Sequence, residues 1–240
     1  MRTIVAIILL GGNCMAMENG VKWQFKAAEV AVIQVEAEAG EIFLNAAEGP
    51  VKAEVVGVYD AETCELSAEL KNSKLILSAK SKKKWFWNRS SCKAGFNVTA
   101  PTGTGLIVKS GAGLVKVSGF SAGAELRSSA GTMEFKDLSG PINIKSGAGT
   151  IKGEIYSEDF VARTGAGTID VSWKKAPQKG KADIKSGAGV IALAFPADSR
   201  INVSYTAGAG SLSNELGSDP SAGFKVDVKS GAGSLTIKKR

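Results

Sequence analysis

The 240-residue sequence predicts an all-β protein: a single-stranded β-solenoid (β-helix), right-handed, of about seven regular coils, with an N-terminal β cap. Three observations predict it. A seven-residue phrase of the form Lys-Ser-Gly-Ala-Gly-Thr-Ile recurs seven times, beginning at Lys109, Arg127, Lys145, Arg163, Lys185, Thr206 and Lys229. Its spacings are 18, 18, 18, 22, 21 and 23 residues, and a short repeat period marks stacked units, each too small to bury its own apolar face. Apolar residues alternate with period two on both sides of the glycines, and nothing keeps a helical period for long. A sandwich of short hairpins is the alternative, because regularly spaced strands fit that class as well.

Within a copy the alternation changes phase at the glycines. Ile142, Ile144, Ser146 and Ala148 share one parity, whereas Ile151 and Ile155 share the other. A strand that keeps one face inward changes parity only through a bulge or corner. Each copy therefore reads as strand, Gly-Ala-Gly corner, strand and variable turn. Ser118-Gly119, Ser139-Gly140-Pro141, Pro196 to Ser199 and Gly217 to Pro220 supply the turns.

The N-terminal third carries fainter versions of this pattern. Val30 to Leu44 reads as a degenerate coil, and further strands are expected at 65–70, 74–78 and 95–99, with Asn72-Ser73 as a turn. A solenoid end is an open sheet edge that needs a cap, and residues 51–104 are placed to provide it. The expected organisation is a leader at 1–16, an N-terminal β region at 17–104 and the repeats at 105–240. Arg2, the apolar run Ile4 to Leu10 and Cys14-Met15-Ala16 resemble a secretory signal peptide cleaved before Met17. Lipid attachment at Cys14 is the less favoured alternative, because Asn13 precedes that cysteine. Export makes a disulfide between Cys64 and Cys92 the expected state of the remaining thiols.

Stacking would align equivalent residues in columns. An inward column runs Ser110, Ser128, Ser146, Thr164, Ser186, Ala207 and Ser230. Its hydroxyls suit hydrogen bonds to one another or to backbone. A nucleophilic serine needs a base, and the chain has no histidine. An outward basic column runs Lys109, Arg127, Lys145, Arg163, Lys185 and Lys229, with Thr206 at the equivalent position of the sixth copy. Like charges on neighbouring strands repel. The column is either a binding stripe for an anionic polymer or lipid headgroup, or solvated charge offset by Glu125, Asp183 and Asp227. A further series, Lys116, Glu134, Lys152 and Asp170, alternates in sign.

Residues 80–89 form the most unusual local stretch. Lys82, Lys83, Lys84 and Arg89 flank Trp85, Phe86 and Trp87 inside the expected disulfide loop. Aromatics beside cations suit membrane interfaces, sugar stacking or cation–π contacts. The alternative is a loop folded back over the solenoid end. Gly187 to Ala192 matches a dinucleotide fingerprint, but a strand follows where that motif needs a helix. No cofactor or metal site is expected. Solenoid-shaped polysaccharide lyases and hydrolases require clustered acids; Glu154, Glu158 and Asp159 form the densest group in the repeats.

The Ser-Gly-Ala-Gly phrase, typified by Ser146 to Ile151 and Thr164 to Ile169 and preceded by Lys or Arg, resembles a large bacterial family. Its members are adhesin-like β-strand-repeat proteins of unknown function, and the resemblance covers about residues 30–240. It implies a single-stranded β-helix, exported or membrane-associated, and carries over no catalytic residues. The expected function is a non-enzymatic, adhesin-like binding or scaffold protein of the bacterial cell envelope. Its expected partner is an anionic glycan, a lipid headgroup through peripheral membrane contact, or an envelope protein, and not a nucleic acid. The alternative is a carbohydrate-active β-helix enzyme acting on envelope or extracellular polysaccharide.

Overall fold

The structure is a computed structural model that describes residues 20–82 and 92–240. The leader at 1–16, and with it Cys14, lies outside the described residues, as do Lys83, Lys84, Trp85, Phe86, Trp87 and Arg89. In chain order the strands are β1 (Lys22–Phe25), β2 (Val32–Ala39), β3 (Ile42–Ala46), β4 (Val51–Val56), β5 (Cys64–Lys71), β6 (Lys74–Ser81), β7 (Gly95–Ala100) and β8 (Gly105–Ala112). Next come β9 (Leu114–Ser118), β10 (Ala124–Ser139), β11 (Ile142–Tyr156), β12 (Asp159–Trp173), β13 (Gly180–Phe195), β14 (Ile201–Ala209), β15 (Leu212–Asn214) and β16 (Phe224–Lys239). The described residues are all-β: they form one mixed sheet of 16 strands, parallel through the repeats and antiparallel at the N-terminal end.

The repeats align as their phrases predict. Ser128, Ser146, Thr164, Ser186 and Ser230 are register partners from strand to strand. In β10 to β13 and β16 the Gly-Ala-Gly element is a bend inside a continuous strand, whereas in the first and sixth copies it separates β8 from β9 and β14 from β15. Inward-facing residues run through Ile142, Ile144 and Ser146 and resume at Ile151, while Ala148 is exposed. The parity change therefore falls at the first glycine, and Ala148 does not continue the inward set.

The second glycine of the phrase fixes how tightly copies approach. Gly149, Gly167 and Gly189 have φ of 123°, 135° and 137°, a region that side chains other than glycine strongly resist. A Cβ on Gly167 would lie 1.9 Å from the Gly149 carbonyl oxygen, and one on Gly189 would lie 1.8 Å from that of Gly167. Only glycine fits this column.

Stack order departs from chain order at both ends. The seventh copy, β16, pairs with β13 on one side and with β14 and β15 on the other. The sixth copy is thereby displaced to the sheet edge, and the column runs Lys185, Lys229, Thr206 rather than in the sequence order expected. At the other end β2 and β3 pair in parallel with β8 and β9, so the degenerate coil at Val30 to Leu44 stacks as a copy should. Beyond it lie β6 and β7, paired in parallel with β2 and β3. The segment read only as a cap thus contains a further repeat-like unit, β6 and β7, whose sequence between the strands has no Gly-Ala-Gly phrase. Strands β5, β4 and β1 then cover this end in antiparallel fashion. The β5–β6 turn is made by Asn72 and Ser73, with φ of 49° and 58°, as a tight right-twisting hairpin requires.

One apolar core runs the length of the stack, from Phe25 to Ile237. Columns of aliphatic side chains such as Ile151, Ile169, Ile191 and Leu235 fill it. Part of it is aromatic: Trp173 stacks on Phe195 at 4.4 Å and meets Phe160 edge-on at 5.4 Å. The buried indole N–H donates to the Ser157 carbonyl at 2.9 Å, which satisfies the one polar group that tryptophan brings inside.

Candidate functional site

In-register pairing of β8, β10, β11, β12, β13 and β16 turns the recurrent cation into a continuous line on the outer surface. Lys109, Arg127, Lys145, Arg163, Lys185 and Lys229 occupy successive strands, about 4.8 Å apart, and Thr206 ends the line on β14. Their side chains leave the sheet because the inward positions on either side are taken by core residues and by the serine column.

Half of the cations are neutralised locally. Lys109 pairs with Glu36 at 2.9 Å, and Glu36 also holds Lys80 at 2.8 Å. Hydrogen bonds from Lys80 and then Lys109 pull the Glu36 carboxyl down from 4.5 to about 2. Arg127 Nε donates to Glu125 at 2.7 Å, two residues back on the same strand. Arg163 reaches Asp183 on the next strand at 3.8 Å. Among the described residues Lys145, Lys185 and Lys229 make no ion pair, and neither does Asp227 beside Lys229. Compensation by Glu125 and Asp183 is therefore real, and that by Asp227 is incomplete. The other outward series is partly paired: Lys116 meets Glu134 at 3.1 Å.

A shallow groove of about 390 Å³ borders this line at the strand starts. Ile107, Glu125, Asn143 and Val161 form its floor, with Gly123 and Pro141 on the turn side. The buried Asn143 Oδ1 has no hydrogen-bond partner in the protein. It is an unused acceptor beside a line of cations, and the phrase repeat gave no signal of it because the matching positions of neighbouring copies hold Ile107, Glu125, Val161 and Asp183.

The serine column is buried and structural. Ser128, Ser146 and Thr164 each donate to the alanine carbonyl two residues on, at 2.8, 3.1 and 3.1 Å. They brace the bend from within one strand instead of forming a ladder between strands. Ser186 and Ser230 lack this bond.

The base of the basic–aromatic loop is held firmly. Cys64 and Cys92 are joined in a disulfide, with Cα atoms 5.1 Å apart. Lys82 donates its backbone N–H to Thr63 at 2.8 Å and its ammonium to the Ala61 carbonyl at 2.7 Å. Ser81 donates its hydroxyl to Glu38 and accepts from the Cys92 N–H at 2.9 Å. Of the predicted loop site, Lys82 alone is among the described residues, and it is occupied as an anchor. Within the acidic group weighed for a hydrolase, Glu154 is not poised as an acid. Glu154 is paired with Arg240 and with Lys174, the latter at 3.3 Å, and these contacts lower its carboxyl, whereas a general acid needs a raised one. Among the described residues, no group of three or more His, Cys, Asp or Glu could hold a metal ion. No helix among them is long and apolar enough to cross a membrane.

No protein-family model matches this chain, and no curated protein does. Several solved structures resemble it at low identity. A putative adhesin from Bacteroides fragilis is 17% identical, with 92% of this chain and 98% of that one covered, at a TM-score of 0.41. A putative lipid binding protein from Parabacteroides distasonis is 14% identical, with 93% and 97% covered, at 0.40. A putative cell adhesion protein from Clostridium sporogenes is 13% identical, with 91% and 98% covered, at 0.39.

Proposed function

We propose that the chain is an exported, non-enzymatic, adhesin-like binding or scaffold protein of the bacterial cell envelope, built as a β-solenoid that presents an anion-binding line. One observation carries this reading: Lys145, Lys185 and Lys229 stand in register on the outer surface, without counter-ions among the described residues. Stacking like charges costs stability, and a polyanion lying along the column would relieve that cost. The groove lined by Ile107, Glu125, Asn143 and Val161 offers a recess for a ligand beside the charges. The Cys64–Cys92 disulfide suits an oxidising compartment, and the firm base at Ser81, Lys82 and Cys92 suits a loop that presents Trp85, Phe86 and Trp87 as a second contact.

The test is retention on a sulfated polysaccharide and on phosphatidylglycerol vesicles across an ionic-strength series. The wild type should bind and be released as salt rises. Lys145→Glu/Lys185→Glu/Lys229→Glu should lose binding while melting normally. Trp85→Ala/Trp87→Ala should weaken it through the loop. Binding unaffected by the triple reversal would refute the column as the site. Release of reducing ends from envelope polysaccharide would favour the enzymatic alternative.

A further inference from the structure

The sixth copy differs from the other six in two independent ways, and both point outward. Its residues Ile201 to Asn214 include no Asp, Glu, Lys or Arg, whereas every other copy carries charge on its strands. It is also the copy that the topology removes from sequence order and leaves as the last strand of the sheet. Had chain order been kept, β16 would be the edge, and Lys225, Asp227, Lys229, Lys238 and Lys239 would guard it. Charged edges are how sheets avoid joining other sheets. Here a charged strand is buried within the stack and the uncharged one is exposed.

The edge also has free bonding capacity. The Asp219 N–H donates to the Ile201 carbonyl at 2.9 Å, and the Val203 N–H donates to Ser218 Oγ at 2.9 Å. The 215–222 segment thus covers the first part of β14. Backbone groups alternate sides along a strand, so Tyr205 and Ala207 direct theirs out of the sheet beyond that cover. At the same end the apolar column Ile151, Ile169, Ile191, Leu235 finishes in Leu212, which is 47% exposed while the other four are buried.

We propose that the β14–β15 edge is an interface with a second copy of this chain, formed by antiparallel edge-to-edge pairing about a two-fold axis. Self-pairing fits because an uncharged strand opposite itself meets no like-charge repulsion, and the exposed Ser204 and Thr206 hydroxyls can pair across the axis. A closed two-fold also matches the contrast between the ends. The N-terminal edge strands β1 and β5 carry Lys22, Glu65, Glu69 and Lys71 and run antiparallel to their neighbours, so they offer a poor acceptor for head-to-tail growth.

Sedimentation equilibrium of the full exported chain from 1 to 100 µM, together with amide hydrogen exchange, tests this. A dimer is expected, with Tyr205 and Ala207 amides protected in proportion to dimer content. Ser204→Lys/Thr206→Lys places charge on the edge, and at the Thr206 position the other copies carry a lysine four times and an arginine twice, so the fold should tolerate it. It should shift the dimer dissociation constant upward at least tenfold and release those amides, with an unchanged melting temperature at low concentration. A wild type monomeric at 100 µM overturns the proposal, whether the edge stays bare or accepts a strand from a different protein. A dimer undiminished in the double-lysine variant overturns it equally.

Discussion

From β10 to β13 every strand lies beside its neighbour in sequence, with equivalent residues facing one another. At the two ends the chain travels outward and then returns, so that β2–β3 and β16 are each enclosed by a unit outside them. The middle is specified by the phrase, whose second glycine allows one approach and one register. The ends are specified by what stops the stack: an antiparallel, charged cover at one side and an uncharged edge at the other. Repetition thus sets how copies fit together, and only departures from it set which copies are neighbours.

The contrast breaks most severely at the glycine column. Gly167→Ala would force a Cβ to 1.9 Å from a backbone oxygen at a φ of 135°. We expect a loss on the order of 4 kcal/mol, at the extreme of single-residue effects, seen as a collapse of the denaturation midpoint. Gly103→Ala, in the turn before β8 with nothing within 4 Å of its added Cβ, should stay within about 0.5 kcal/mol of wild type.

Removing the disulfide sharpens the comparison from the N-terminal side. Cys64→Ser/Cys92→Ser should cost about 2–4 kcal/mol. Hydrogen exchange should place the early opening in β5 to β7 and leave β11 to β13 protected. A smaller difference separates two copies inside the regular stack. Ser146→Ala deletes the bond to the Ala148 carbonyl and should cost about 1 kcal/mol. Ser186→Ala removes a buried hydroxyl without a partner and should be neutral or stabilising. Chemical denaturation resolves the pair.

The smallest effect depends on pH. The folded-state carboxyl of Glu36 lies at about 2 against 4.5 normally, so its contribution is fully present above about pH 4.5. That contribution is lost as pH falls from there towards 2. The melting temperature of Glu36→Gln should fall less steeply than that of wild type over this window.

Much of the fold was legible in the sequence, because stacking makes matching residues recur. Ser146, Thr164 and Ser186 are register partners as their phrases imply, the glycines bend the strand, and Asn72-Ser73 turns a hairpin. Stack order was not legible. Every copy presents nearly the same surface to its neighbours, so the phrase cannot distinguish β14 from β16 as the partner of β13. The signals were Thr206 and Ala207, which replace the usual cation and hydroxyl, and the missing charge from Ile201 to Asn214. The β6–β7 unit escaped notice because the sequence between its strands lacks the glycine phrase. In the candidate site the cations were legible from their period. Their pairing was not: Glu36 reaches Lys109 from a strand 73 residues earlier, and the unsatisfied Asn143 depends on what surrounds a single side chain.

Stack order is most directly tested by cysteine cross-linking across the C-terminal strands. Register places Ala192 beside Thr236, and Thr236 in turn beside Ser213. Neighbouring strands are close enough for a disulfide, whereas strands two positions apart, about 9.6 Å, are not. Ala192→Cys/Thr236→Cys should oxidise to an intramolecular bond, and Ala192→Cys/Ser213→Cys should not. Efficient closure of the second pair with failure of the first would show that the copies stack in chain order and contradict the account.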